Sequence, residues 1–575
     1  FYGLLSYARA REKLRDQNVK AADKYMRQAL KAVPGLAFYR RVQAKVLSLR
    51  SQVKQAIDIL ESILQTQPKD VEARQMLVRL LARSKRFQEA TQQEEEMMKY
   101  SFQATKDLIQ ERLENDPENL RHIYSYAQVL SKRAKHRDEA LEYVNKYLQQ
   151  EPDSKKVLML KAKILYDQER FQEAEDVYRR VLELAPKSPF AWVQLSQTLL
   201  MLERWEEAEA AALKAYDIRR DYATTMSLAE TFKTLGGHIE KVLELYDQAI
   251  AMKPDNSTAK WNKALVYFHN NRLPEAMEIY HHGFEAGPRK PYRKFSVPEW
   301  DGKTDIKGKR ILCWREQGIG DELRFSRYFQ DLINTGAYCI FEVTPKLKPL
   351  FKRSFPDAEI VLQSGGDDIY RSDIDYHVPA GALMKYYLQD FPEPPVYKNY
   401  YILSQEYLEK WRQRLSSVGE GLKVGICWRS TVQSAVRSPT RMSIDDLEPL
   451  FKLSGITWIN LQYDECGDEL AEALEKYGVT IHNWEDLDQK DDLDQTAAMT
   501  SLLDLAIGIA APIVMACNLG IPVIRWEANS TMAQQGRVLR SQLHYPSLIF
   551  SRHYQQSKTD LAREIAEYID KHYLS

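Results

Sequence analysis

Two patterns of apolar positions divide the chain near residue 287, one set by a long period and the other by short runs. In the first, prolines fall at Pro34, Pro68, Pro117, Pro152, Pro186, Pro254 and Pro288, mostly 34 or 35 residues apart. Ala140, Ala174, Ala208 and Ala276 keep that interval or twice it, and so do Tyr178, Tyr246 and Tyr280. Three residue types in one register predict a stack of antiparallel helix pairs. The small alanine lets the second helix of each pair pack closely, and Phe171 and Trp205, three residues before it, fill the groove to the next pair. Proline ends the second helix because it cannot continue the backbone ladder. Two cycles depart from the rule. Arg220 stands where proline is due, and the interval from Pro68 to Pro117 holds about fifteen extra residues, which the Gln-, Glu- and Met-rich stretch from Thr91 to Tyr100 predicts as lengthened helices.

The second pattern begins after a proline, glycine and basic stretch, residues 288–308, that reads as a linker. Short apolar runs then alternate with helical segments: Arg310 to Trp314, Cys339 to Val343, Glu359 to Leu362, Lys423 to Trp428, Thr457 to Leu461, Leu505 to Ile509 and Pro522 to Trp526. Such alternation predicts parallel sheets covered by helices. The polar segment Leu403 to Gly421 splits the region, giving expected domains at 309–405 and 406–575 after a repeat domain at 1–287. Two such sheets facing a cleft place a ligand at the carboxyl ends of their strands. An amphipathic segment from Ser557 to Tyr573 is expected to close the fold as a helix packed across both domains.

A period of 34 residues in helix pairs is that of tetratricopeptide repeats, whose superhelix offers a long concave face to proteins or peptides. A scaffold or oligomer surface is the alternative. Equal numbers of basic and acidic residues, 81 each, imply no bulk electrostatic pull on nucleic acid or membrane. Cys313, Cys339, Cys427, Cys466 and Cys517 are scattered without metal-ligand spacing, as buried thiols of a reducing, cytoplasmic compartment would be. The longest apolar run, Leu505 to Cys517, is too short to span a bilayer and, with Gly508 and Pro512, reads as a buried strand followed by a turn. The chain opens at Phe1 without a leader, as a shortened chain would.

The sharpest local signal runs from Cys313 to Phe325: a strand, a turn at Gly318 and Gly320, and a helix presenting Phe325, Tyr328 and Phe329 inward. Such a turn lets backbone amides approach a substrate, or the glycines simply make the turn while Asp321 caps the helix. In the second half, Arg429 and Arg437 follow a strand and suit a phosphate, with Ser430 or Thr431 as hydrogen-bond donors; a solvated loop with one ion pair is the other reading. Trp428 either walls that site or belongs to the core. Gln462 and Tyr463 follow the next strand, placed for a base or ribose, though Tyr463 equally suits the sheet edge. In the acidic run Asp486 to Asp494, Asp494 reads as the cap of a helix Gln495 to Leu503 or as a donor contact, and the rest as solvated loop; no metal is expected. His482 and His544 read as structural groups.

Pro298-Glu299-Trp300-Asp301-Gly302, Glu316 to Asp321 and Arg327-Tyr328 resemble the start of the glycosyltransferase domain of bacterial tetratricopeptide-repeat glycosyltransferases, and more distantly the lipopolysaccharide heptosyltransferases. Cys427 to Ser430, Arg437-Ser438, Asn460 to Cys466 and Asp491 to Asp494 with Ala497-Ala498 resemble the donor-side motifs, with flagellin-modifying enzymes as the nearest kind. The resemblance implies a GT-B fold of two Rossmann-like domains behind the repeats. It implies a metal-independent protein O-glycosyltransferase with no cofactor beyond a nucleotide-sugar donor. The donor that the resemblance implies is a CMP-linked nonulosonic acid such as pseudaminic or legionaminic acid, bound by the second domain, and the acceptor it implies is Ser or Thr of a protein, flagellin, held by the repeats. Asp321 matches the catalytic carboxylate position and would be the general base, with Glu316 in reserve. One departure stands out: heptosyltransferases carry an Asp-Thr pair and a His after the strand equivalent to Leu505 to Ile509, where this chain reads Ala510 to Met515. A catalytically silent scaffold, or an enzyme acting on lipid or polysaccharide, are the competing functions.

Overall fold

The computed structural model describes residues 2–33, 35–236, 239–270, 272–289, 293–362, 371–387, 398–430, 440–528, 539–541, 547–552 and 556–574. The chain forms two compact units, Phe1–Pro186 and Lys187–Ser575.

In the first unit the expected pairs are present: Tyr2–Arg15 with Val19–Ala32, Ala37–Leu49 with Val53–Thr66, Val71–Arg83 with Phe87–Met98, Leu120–Leu130 with Arg137–Gln150, and Lys155–Asp167 with Phe171–Leu184. Ala22, Ala56, Ala140 and Ala174 lie fully buried on the second helices, so the close approach that fixes alanine there holds along the array. A second clock runs in the turns. Gln17, Ser51, Lys85 and Glu169 all take the left-handed conformation, with φ between 56° and 63°, and each reverses the chain inside a pair. The long interval corrects one expectation. Its residues form an additional helix, Phe102–Asn115, capped by Ser101, whose Oγ accepts from Ala104 N at 3.2 Å; the neighbouring helices keep ordinary lengths.

The second unit opens with three more pairs, Pro189–Met201 with Trp205–Ile218, Tyr222–Thr234 with Ile239–Met252, and Ser257–His269 with Leu273–Ile279. Where Arg220 replaces proline, the break is made by Asp221, which accepts from Thr224 N at 3.1 Å while Thr224 Oγ1 accepts from Asp221 N at 3.1 Å. The last pair shares its core with the first sheet: Trp261, Phe268 and Tyr280 pack in one cluster with Cys313, Phe325 and Val378. Residues 288–308, the expected linker, are described apart from 290–292. Arg289 and Arg293 within them are buried, and each pairs with a buried glutamate of the α/β region.

Two sheets follow. The first holds β1 (Arg310–Trp314), β2 (Tyr338–Val343), β3 (Glu359–Leu362) and β4 (Tyr376–Pro379), all parallel in the order β3-β2-β1-β4. The second holds β5 (Leu422–Cys427), β6 (Ile456–Asn460), β7 (Ile481–His482), β8 (Leu505–Gly508), β9 (Val523–Ala528), β10 (Leu539–Ser541) and β11 (Ser547–Arg552). Its order is β10-β11-β9-β8-β5-β6-β7, parallel except for the β10–β11 pair. In each sheet the first strand of the series lies between the second and the fourth, so the connections reverse direction at β1/β4 and at β5/β8. Ligands of doubly wound sheets bind at the carboxyl ends of strands at such points. The last helix, Lys558–Ile569, buries Leu561, Ile565 and Ile569 among Leu450, Phe451 and Trp458 of the second sheet's core, so its apolar stripe serves that sheet and does not bridge the two expected domains. No described helix is long and apolar enough to cross a membrane.

Burial also sets one titration. His377 of β4 lies stacked 4.0 Å from the Phe295 ring and accepts at Nδ1 from Trp314 Nε1 at 3.2 Å. Desolvation pushes its pKa down to about 4. The unfolded chain takes up this proton near pH 6.5 and the folded one only near 4, so stability is lost progressively as pH falls across that window. Thermal midpoints measured between pH 7 and 4 are expected to fall, and a His377→Gln variant to show a shallower slope; equal slopes would contradict the burial of a neutral imidazole.

Candidate functional site

The turn after β1 carries the residues singled out in the first sheet. Gln317 stands in the left-handed region at φ 61°, an arrangement a non-glycine residue adopts only when its neighbours hold it there. Its side chain is held from both sides, donating to Tyr280 Oη at 3.2 Å and to Glu316 Oε2 at 3.3 Å. Gly318 then caps the helix Ile319–Phe325, and Asp321 accepts from Gly318 N at 3.3 Å and from Arg324 Nη1 at 3.2 Å. Its side chain remains 26% exposed. Asp321 therefore caps its helix and also keeps a carboxylate edge toward solvent.

Glu316, the reserve base, has no such edge. Arg289 donates to both its oxygens, Nε and Nη2 at 2.5 Å each, and Gly381 N donates at 2.8 Å. The guanidinium lies over the rings of Phe284 and Tyr280 and donates to the Tyr280 carbonyl at 3.3 Å. A buried carboxylate held by this many charge-assisted donors is a strut, and its reading as a proton acceptor is corrected. Gly381 is required there, because a Cβ on it would stand 2.6 Å from Glu316 Oε1. The other charges near the end of β1 are also paired: Arg315 binds Glu322 at 2.6 Å, and Glu322 accepts from Thr344 N at 2.9 Å.

In the second sheet, Trp428 is wholly buried and donates from Nε1 to Glu469 at 2.9 Å, which makes it core and not a wall of an open site. Arg429 is buried beside it. Its guanidinium pairs with Glu469 at 2.5 Å and with Asp464, and donates to the Glu465 carbonyl at 2.8 Å, so the charge expected for a phosphate is already met by two carboxylates. Gln462, also buried, clamps the same turn: Arg429 N donates to its Oε1 at 3.2 Å and its Nε2 donates to the Arg429 carbonyl at 3.1 Å. The pair locks the ends of β5 and β6 together and leaves Gln462 no edge for a base or ribose. Ser430 and Tyr463 are half-buried on either side. Arg437, Thr431 and His544 lie outside the described residues.

The acidic run is also spent on cations. Arg414 holds Asp486 at 2.6 Å, Lys346 pairs with Asp491, and Arg353 pairs with Asp494. The helix cap is Asp492, which accepts from Gln495 N at 3.0 Å, and the helix is Leu493–Thr500; the expected cap at Asp494 and start at Gln495 are corrected. Among the described residues, no group of three or more His, Cys, Asp or Glu is placed to hold a metal ion. All five cysteines are buried and none is in a disulfide; burial pushes the Cys339 and Cys517 thiols up to about 12.

The segment after β8 departs most from expectation. Residues 510–515 do not form a turn; they begin the helix Ala510–Asn518, entered through Ala510 in the left-handed region at φ 71°. No side chain caps its first turn. It lies against the helix Ile319–Phe325, with Ala511 Cβ 3.6 Å from where a Cβ of Gly320 would be, and Asn518 Nδ2 donates to the Leu323 carbonyl at 2.6 Å and to Tyr401 Oη at 2.9 Å. The two left-handed residues, Gln317 and Ala510, thus open two helices that touch. Sequence reasoning passed over Asn518, Tyr401 and Arg289, whose buried polar contacts fix this junction and which carry no motif.

Families described as tetratricopeptide repeat match residues 49–93 and 237–281, and one described as anaphase-promoting complex, cyclosome, subunit 3 matches 103–181 and 138–215. The helical part consists of tetratricopeptide repeats. The chain is 27% identical over 391 residues to Protein FlbA of Caulobacter vibrioides, a match covering 64% of this chain and 65% of that protein's length. Among solved structures, a tetratricopeptide repeat protein from Parabacteroides merdae is similar with a TM-score of 0.27 and 10% identity, over 48% of this chain and 99% of its own. YrrB, described as a TPR protein with an unusual peptide-binding site, has a TM-score of 0.25 and 16% identity over 31% of this chain and 92% of its own. At these scores neither likeness bears on the α/β region.

Proposed function

We propose that the chain is a protein O-glycosyltransferase of GT-B type, in which two Rossmann-like sheets carry the chemistry and the repeats select a protein acceptor. The observation that carries this reading is the meeting of the helices that follow β1 and β8 at Gly320 and Ala511, beside which Asp321 keeps an exposed carboxylate edge. The acceptor Ser or Thr hydroxyl attacks the anomeric carbon, its proton passes to Asp321, and the bond from sugar to phosphate breaks to release the nucleoside monophosphate. The N-terminal amides of Ala510–Asn518, which no side chain caps, and Arg437 are the proposed phosphate partners; Arg429 acts by holding its turn. Flagellin as acceptor, a CMP-linked nonulosonic acid as donor and a cytoplasmic setting come from the resemblance in the sequence.

Asp321→Asn keeps the cap and removes the basicity. With a CMP-nonulosonic acid donor and flagellin acceptor, sugar incorporation read by mass spectrometry is expected to fall roughly a hundredfold, while the donor's thermal shift stays unchanged. Near-normal turnover would reduce Asp321 to a helix cap. A specific observation favours a second reading, a silent scaffold with protein-binding repeats: Glu316 and Arg429 are both consumed by buried ion pairs. Absence of a thermal shift with CMP, UDP, GDP and ADP sugars alike would favour the scaffold.

A further inference from the structure

Where the repeat clock skips, the solenoid leaves a recess. The additional helix Phe102–Asn115 stands between the pair that ends at Met98 and the pair that begins at Leu120, and side chains from four successive helices line a small hollow of about 40 Å3. Phe87 stands three residues before Ala90, the place that Trp205 holds before Ala208. Trp205 is 7% exposed and Phe87 43%, so the ring that closes the groove in a regular pair here faces water. The Arg121 guanidinium lies 4.4 Å over that ring.

Deeper in the recess, Arg112 pairs with Glu94, whose carboxyl pKa burial raises. Arg112 Nη2 and His122 Nδ1 are buried nitrogens with no hydrogen-bond partner among the described residues. An unmade hydrogen bond of this kind is costly, and a charged donor recovers most from an anionic acceptor. The lining carries two guanidiniums against one carboxylate, and Ala82, Ala90 and Ile109 form its apolar part.

We propose that this recess binds an acidic peptide segment of a partner protein. A Glu or Asp carboxylate meets Arg121 and the exposed part of the Arg112 side chain, and an adjacent apolar side chain lies on Phe87. The exposed ring at the mouth favours a peptide over a free dicarboxylate, because it contributes only to a ligand that has an apolar group beyond its carboxylate. The site lies wholly in the first unit and stands or falls apart from the glycosyltransferase reading.

The test uses the full chain and a fluorescein-labelled nonapeptide carrying one Glu flanked by Leu in a Gly/Ser background, with forms in which Gln or Lys replaces the Glu. Anisotropy titrations are expected to show the Gln form binding about tenfold more weakly and the Lys form not at all. Arg121→Glu, at an exposed position, is expected to weaken the Glu peptide at least about tenfold, and Thr91→Trp, which fills the hollow, to abolish binding, both with unchanged thermal midpoints. Equal binding of the Glu and Gln forms, no binding at about 1 mM, or full binding by Thr91→Trp would overturn the proposal. Competition by free glutarate at the same concentration as the peptide would also overturn it and assign the recess to small dicarboxylates.

Discussion

Arg289→Met is expected to lower the unfolding free energy by about 3–5 kcal/mol, because it strands Glu316 as an uncompensated charge in a place water does not reach. The loss is electrostatic and not steric, since methionine preserves most of the packing against Tyr280 and Phe284. A second substitution separates the two. With Glu316→Gln added, the charge is gone but an amide oxygen still accepts from Gly381 N, so more than half of the lost stability should return. Urea unfolding followed by tryptophan fluorescence reads all three proteins. A loss under about 1 kcal/mol in the single variant would mean that the Glu316 carboxyl reaches water or sits protonated, which would reopen its candidacy as a proton acceptor. The pair also ties the last repeat to the turn that carries Asp321, since Arg289 bonds Tyr280 O on one side and Glu316 on the other. The repeats therefore position the candidate site through a rigid, buried contact within the second unit.

The sequence made most of the strands legible and little of the wiring between them. Arg310–Trp314 matches its expected run residue for residue because a buried parallel strand is a plain apolar run bounded by breakers, and Glu359–Leu362, an exposed edge strand, matches because Ile360 and Val361 lie between polar neighbours. β4 is not legible because Tyr-His-Val-Pro looks like loop; inside, the His377 imidazole is met by the Trp314 indole and its backbone by Trp300 and Pro298. The extra helix was misread as longer helices because its insertion shifts the alanine phase between Ala90 and Ala140 without leaving a period of its own. The left-handed turn residues were invisible for a different reason: Gln17, Ser51, Lys85 and Glu169 share a backbone geometry and no side-chain chemistry. At the candidate site, Arg429 after a strand signals a cation but not its company. Asp464 and Glu469, which neutralise it, arrive from the next βα unit, and nothing in their spacing announces the contact. Asp321 is the reverse case. The structure shows its cap to Gly318 N and leaves the side chain 26% exposed, and its role as a base is a proposal.

Gly508→Ala is expected to cost on the order of 4 kcal/mol or more, enough to keep the second sheet from assembling. Gly508 ends β8 at φ 134°, a conformation that is strained for any residue with a side chain. A Cβ there would stand 2.0 Å from the Cys427 carbonyl oxygen, 2.8 Å from its carbon and 3.0 Å from its nitrogen. None of these atoms can retreat. Cys427 ends β5, which is hydrogen-bonded to β6 on one side and to β8 on the other, and its carbonyl also accepts from Ile509 N at 3.0 Å. Gly467→Ala is the control, because a Cβ there meets nothing within 4 Å at the start of an exposed helix turn, and its stability should match the parent. A Gly508→Ala protein that unfolds within about 1 kcal/mol of the parent would mean that β5 and β8 do not meet in this register, and the direction reversal at β5/β8 would fall with it. If the large loss is found, the glycine's role is set by the close passage of two strands. The helix Ala510–Asn518 then starts where sheet geometry puts it, and its amides face the carboxyl end of the sheet before any ligand arrives.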